Sequence, residues 1–123
     1  MKTLILDNNV ENIKIFDAAG VDIIFVDLEV LGKEERQGHV DTVKNFHTLD
    51  DVKAIKPHVK NADLLVRINP IHENSQSEID TAIENGADIV MLPMFKTVEE
   101  VQFFIQTVNK RARVNLLLET SEA

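Results

Sequence analysis

Two acidic residues, Asp27 and Glu29, follow directly on the apolar run Ile23-Ile24-Phe25-Val26. Their i, i+2 spacing puts both carboxylates on one side of an extended chain. A second apolar run ends Val66-Arg67-Ile68-Asn69-Pro70, again with two polar groups on one side, and a third ends Leu118-Glu119-Thr120. A guanidinium is suited to hold a carboxylate by two parallel hydrogen bonds. Glu119 is a hard oxygen ligand suited to Mg2+, which binds through one or two carboxylates and keeps water or substrate oxygens. A divalent ion so placed polarises a carbonyl and stabilises an enolate. The plainer reading is that Arg67 only neutralises Asp27 or Glu29 at solvated strand ends. Four charged residues finishing three apolar strands weigh against it.

Other chemistry-bearing residues are less telling. His39, His47, His58 and His72 lack the HxxH or HExxH spacing of a metal site and read as surface or supporting groups. His39 and His47 flank a long polar stretch, and Lys33 and Arg36 within it are candidates to bind an anionic substrate group, although a solvated charge run has the same look. Met91 and Met94 read as core filler. There is no GxGxxG and no GxxxxGK[ST] phosphate loop.

The elements that must position these residues alternate along the chain. Leu4–Leu6 reads as a strand, and Val10, Ile13 and Phe16 form one stripe of a helix that Gly20 ends. Ile23–Val26 is a strand buried on both faces. The stretch Val30–His47, 18 residues, is long for a connection and of the length that carries function. Thr48 with Asp51 resembles a capping box for a helix carrying Leu49, Val52 and Ile55, which Pro57 closes. Leu64–Ile68 is the next strand. Ser75 or Ser77 is expected to cap a helix with Ile79, Ala82 and Ile83, ended by Gly86. Ile89–Leu92 is a strand, Thr97 and Glu100 open a helix through Val108, and Val114–Leu118 is a fifth strand.

A weak repeat marks the helix-to-strand junctions: Gly20-Val21-Asp22-Ile23-Ile24, Gly86-Ala87-Asp88-Ile89-Val90 and, without glycine, Ala62-Asp63-Leu64-Leu65. Alternating strands and helices imply a parallel α/β sheet with right-handed crossovers. Two architectures satisfy it: a (β/α)8 barrel lacking its last three units, and a complete flavodoxin-like open sheet. Residues 1–123 read as a single domain.

Composition bounds the partners. The 123 residues carry a net charge of −8 and only six aromatics, all Phe, so nucleic acid is an unfavourable partner. No cysteine is present, which excludes disulfides and thiolate chemistry. No apolar run is long enough for a signal peptide or a membrane span, and a cytoplasmic protein is expected.

Four segments, taken together and in order, resemble the HpcH/HpaI aldolase and citrate lyase beta-subunit superfamily. They are Ala19 to Glu29, Val66-Arg67-Ile68-Asn69, Gly86 to Pro93, and Leu117-Leu118-Glu119-Thr120. The resemblance runs from about Ala19 to Ala123. It implies a TIM barrel with about five parallel strands and four helices present, Mg2+ or another divalent metal, and reversible cleavage of a carbon–carbon bond in an oxo-acid or acyl thioester. It further implies that Arg67, with Asn69 beside it, contacts the substrate's carboxylate or carbonyl oxygen, and that Glu119 is a metal ligand. Complete relatives are commonly oligomers, so a homo-oligomer is expected. The sequence departs from the pattern in two ways. The Asp that partners Glu119 belongs to a following strand, beyond Ala123, so the isolated chain is expected to be inactive. After Asp27-Leu28-Glu29 the aldolase branch continues with His and the citrate lyase branch with Asp, whereas Val30 stands here, leaving His39 as a stand-in base. The alternative expectation is a non-catalytic half-barrel that pairs with itself or another chain through exposed strand edges.

Overall fold

The computed structural model describes residues 3–7, 9–28 and 49–117. Among the described residues five strands and four helices alternate: β1 (Leu4–Leu6), α1 (Val10–Ala18), β2 (Ile23–Asp27), α2 (Leu49–Ile55) with a 3-10 turn (Lys56–His58), β3 (Asp63–Arg67), α3 (Ser75–Glu84), β4 (Ile89–Leu92), α4 (Val98–Val108) and β5 (Arg113–Leu116). All four strand pairs are parallel and the order in the sheet is β1-β2-β3-β4-β5.

That order decides between the two expected architectures. A doubly wound open sheet reverses direction at a switch point and places helices on both faces. Here each strand adds to the same edge, and the helices share one face. Ile13, Val52, Ile55, Ile79, Ala82, Phe104 and Val108 from the helices pack with Ile24, Val26, Leu64, Val66, Val90 and Leu92. The opposite face holds a separate small cluster of Phe25, Leu65, Ile89 and Met91, to which no helix among the described residues contributes. A singly wound parallel sheet of this kind is an arc of a (β/α)8 barrel, with the second cluster in the barrel interior. The flavodoxin-like reading is therefore overturned.

Local chemistry explains the boundaries. Asn9 caps α1, its side chain accepting from the Asn12 N–H at 3.0 Å. The expected capping box at Thr97 and Glu100 is present, and Asn109 closes α4 in the left-handed conformation. Strands β3 and β5 begin one residue earlier than the apolar runs imply, because Asp63 and Arg113 join the ladder through their N–H groups (2.9 Å to Asp22 O and 3.0 Å to Asp88 O) and pair with each other through Arg113 Nη2. Ser75 does not cap α3. Asn74 occupies that position, while Ser75 Oγ is buried and accepts from the His72 N–H at 2.8 Å. The Thr48–Asp51 box lies outside the described residues in part, since Thr48 is not among them.

The repeated Gly-x-Asp junction also gains a physical account. Asp22 accepts the Thr3 N–H at 2.8 Å and Asp88 accepts the Leu64 N–H at 2.9 Å, so each aspartate ties its strand to the strand before it. Gly20 and Gly86 both have positive φ, +93° and +121°. A Cβ at Gly20 would meet nothing within 4 Å, whereas one at Gly86 would overlap Lys56 Cγ, whose Nζ binds Asp88 at 3.0 Å. We expect Gly20→Ala to cost about 1 kcal/mol from backbone strain alone. Gly86→Ala should cost about 2–3 kcal/mol, since Lys56 must also move. Urea melts of the two variants check this, and equal losses would remove Lys56 from the explanation.

Asp17, at the end of α1, is buried and accepts backbone N–H bonds from Lys60, Asn61 and Ala62 at 3.1, 2.9 and 2.8 Å. Burial works to raise its pKa, but these donors and the Asn61 side chain together outweigh it and leave the pKa lowered from 3.8. A depressed carboxylate stabilises the fold above its unfolded pKa, and that contribution is lost as pH falls through the folded value. Asp17→Asn should cost about 1–3 kcal/mol near neutral pH. The deficit relative to wild type should shrink below pH 4, read by urea melts across pH; a deficit that stays constant with pH would exclude a role for the charge. Among the described residues no helix is long and apolar enough to cross a membrane.

Candidate functional site

Parallel strands of a barrel present their C-terminal ends on one rim, and the residues there decide what the face can do. On the interior face, Asp27 (β2), Arg67 (β3), Met91 (β4) and Asn115 (β5) form one row across the sheet. Arg67 stands at its centre. Its Nε donates to Asp27 Oδ1 at 3.0 Å and its Nη2 to Asp27 Oδ2 at 2.5 Å, a two-point ion pair. Asp27 is 4% exposed, and the Arg67 guanidinium carbon also lies 5.3 Å from the centre of the Phe25 ring in the row beneath. Cation, carboxylate and ring thus fix the plane of the guanidinium before any ligand arrives.

Beyond the strand, Ile68 remains in the helix-facing core and its N–H donates to Met91 O at 3.0 Å. The Asn69 N–H and Nδ2 donate to Glu78 Oε1 and Oε2 of α3, at 3.2 and 2.6 Å. His72 Nε2 lies 3.6 Å from Glu78 Oε1. Burial raises the Glu78 pKa from 4.5, against the opposing pull of Asn69 and His72. Met94, just past β4, adopts the left-handed conformation with φ of 49°, a strained geometry at the same rim.

Three of the residues singled out from the sequence, Asp27, Arg67 and Asn69, are therefore brought to one rim. Glu29, Lys33, Arg36, His39 and Glu119 lie outside the described residues. Glu78 was not foreseen. Ser75-Gln76-Ser77-Glu78 has the S-x-x-E form of a capping box, which already assigns the glutamate a helix-starting role. Among the described residues no cluster of three acidic or histidine side chains is placed to hold a metal. Asp27 is engaged by Arg67 and Glu78 by Asn69, so these residues alone do not fit a divalent ion.

The family model for HpcH/HpaI aldolase/citrate lyase matches residues 5–115. The chain belongs to this family. A solved HpcH/HpaI aldolase from Desulfitobacterium hafniense DCB-2 superposes with a TM-score of 0.62 at 20% identity, over 98% of this chain and 41% of its own. A mandelate oxidase variant solved with 2-hydroxy-phenylacetamide gives 0.60 at 14% identity, over 94% and 40%. NadC from Streptococcus pyogenes gives 0.52 at 13%, over 98% and 42%. At these identities the structural likenesses speak for the fold alone. The chain spans about two fifths of the length of these structures. No curated protein sequence matched. For an HpcH/HpaI family member, the Arg67 row is the feature of the rim with the most evident chemical use.

Proposed function

We propose that this chain carries part of the active site of a carbon–carbon lyase or aldolase acting on an oxo-acid or acyl thioester. The observation that supports it is the immobilised Arg67 guanidinium at the C-terminal end of β3. In the cleavage direction, the bond between the carbon next to the carbonyl and the hydroxyl-bearing carbon breaks. Its electron pair becomes an enolate, and the hydroxyl proton passes to a base. A fixed cation beside the developing oxyanion stabilises that charge without reorganising. A substrate carboxylate or carbonyl oxygen would meet a guanidinium whose plane Asp27 already holds. Asp27 then orients the arginine, and Asn69, at the same rim, adds a polar contact.

His39 as base, Glu29 as second carboxylate and Lys33 and Arg36 as anion contacts belong to the same proposal. So do a divalent metal such as Mg2+ with Glu119 among its ligands, a cytoplasmic setting and a homo-oligomer. The test is exchange of the pyruvate methyl protons in D2O by the full-length protein with Mg2+, followed by NMR. Catalysed exchange is expected; its absence with pyruvate and with an acetyl thioester would contradict the reading.

A second reading rests on the sheet edges. Leu4 and Leu6 of β1 are 48% and 54% exposed, and Val114 and Leu116 of β5 are 43% and 38% exposed. Such edges favour pairing with further strands. Sedimentation showing the 123-residue chain as a stable monomer would speak against self-association through them.

A further inference from the structure

Resting on that reading of the rim, we infer that Glu78 is the positioning residue that sets the direction of the Asn69 carboxamide, two residues past Arg67 at the same rim. An asparagine side chain can face a neighbour with either its oxygen or its NH2, and the two directions offer a substrate opposite hydrogen-bonding character. At Asn69 the choice is made by a carboxylate. Glu78 Oε2 accepts from Nδ2 at 2.6 Å while Oε1 accepts from the backbone N–H of the same residue at 3.2 Å. The flipped amide would set Oδ1 against Oε2, two acceptors in contact, so Nδ2 stays toward α3 and Oδ1 is directed away from it.

His72 reinforces this arrangement. Its Nδ1 accepts from the Asn74 N–H at 3.1 Å, which places the ring proton of the neutral imidazole on Nε2. That Nε2 is buried and makes no hydrogen bond among the described residues, yet lies 3.6 Å from Glu78 Oε1. A third donor is thereby held just outside bonding distance of the carboxylate and favours its charged form, opposing the rise in pKa that burial causes. Since Glu78 projects from α3 and Asn69 follows β3, the contact also ties this helix to the strand that carries Arg67.

The test uses the full-length protein, labelled to observe the Asn69 side-chain amide by NMR, with oxalate as a planar mimic of the pyruvate enolate. Glu78→Gln keeps the shape but turns an NH2 toward one of the two Asn69 donors. It should shift the Asn69 amide resonances and weaken oxalate binding about tenfold. Asn69→Asp alone opposes two carboxylates and should weaken binding as much. Combined, the substitutions rebuild both bonds: the glutamine NH2 donates to the new carboxylate, reversing the side-chain bond, while the glutamine oxygen still accepts from the backbone N–H; affinity should return to within about threefold of wild type. An Asn69 amide and an oxalate affinity unaffected by Glu78→Gln would overturn the inference, as would two harmful single changes with no recovery in the pair. Failure of the wild-type protein to bind oxalate would instead count against the lyase reading, and the amide resonances alone would then decide the role of Glu78.

Discussion

Replacing Arg67 by alanine is expected to cost the fold about 3–5 kcal/mol, because it withdraws the guanidinium from a carboxylate that has left water. Asp27 is 4% exposed and the Arg67 side chain 16%, so the pair is screened far less than a surface ion pair, whose loss costs about 1 kcal/mol or less. Taking both charges away together should be much milder. Arg67→Met with Asp27→Leu removes both charges of the pair, and apolar side chains of similar volume suit a row whose neighbour on β4 is Met91. Urea denaturation of the two single variants and the double variant forms a cycle that measures the coupling. A loss below about 1 kcal/mol in Arg67→Ala would show that the pair behaves as a solvated one.

Arg67→Lys is expected to separate chemistry from stability. The charge remains and Asp27 keeps a cation near it, but an ammonium is a point charge that cannot bind Asp27 at two points and hold a fixed planar array of donors toward an oxyanion. We expect kcat for enolisation to fall by about 100- to 1,000-fold, the range seen when one fixed donor to a developing oxyanion is removed. The melting midpoint should fall much less than in Arg67→Ala. An equal loss of stability in the lysine and alanine variants would mean that the two-point geometry, rather than the charge, is what the fold requires.

The alternation of strands and helices was legible because apolar runs, glycines and caps are local signals. Ile89–Leu92 and the Thr97 cap emerge where those signals put them. The choice between barrel and open sheet was not legible. It depends on which edge each strand joins, and only the order β1 to β5 with helices on one face settles it. The one-residue shifts at Asp63 and Arg113 have a related cause: a charged residue joins a ladder through its backbone, and hydropathy does not register that. Within the site, Asp27 and Arg67 stood out because a charge ending an apolar strand needs a local reason. Their mutual pairing was the plainer of the two readings of Arg67, and it is present. Glu78 stayed hidden behind a capping signature, while in the folded chain it reaches Asn69, nine residues earlier.

The most direct test of the account is deuterium exchange into the pyruvate methyl group, with Mg2+ present, by full-length wild type and Arg67→Lys under conditions where both are folded. Wild type should exchange rapidly, and the variant should lose about 100-fold or more of that rate. Equal exchange by the two proteins would show that Arg67 does not stabilise the enolate and would remove the central claim.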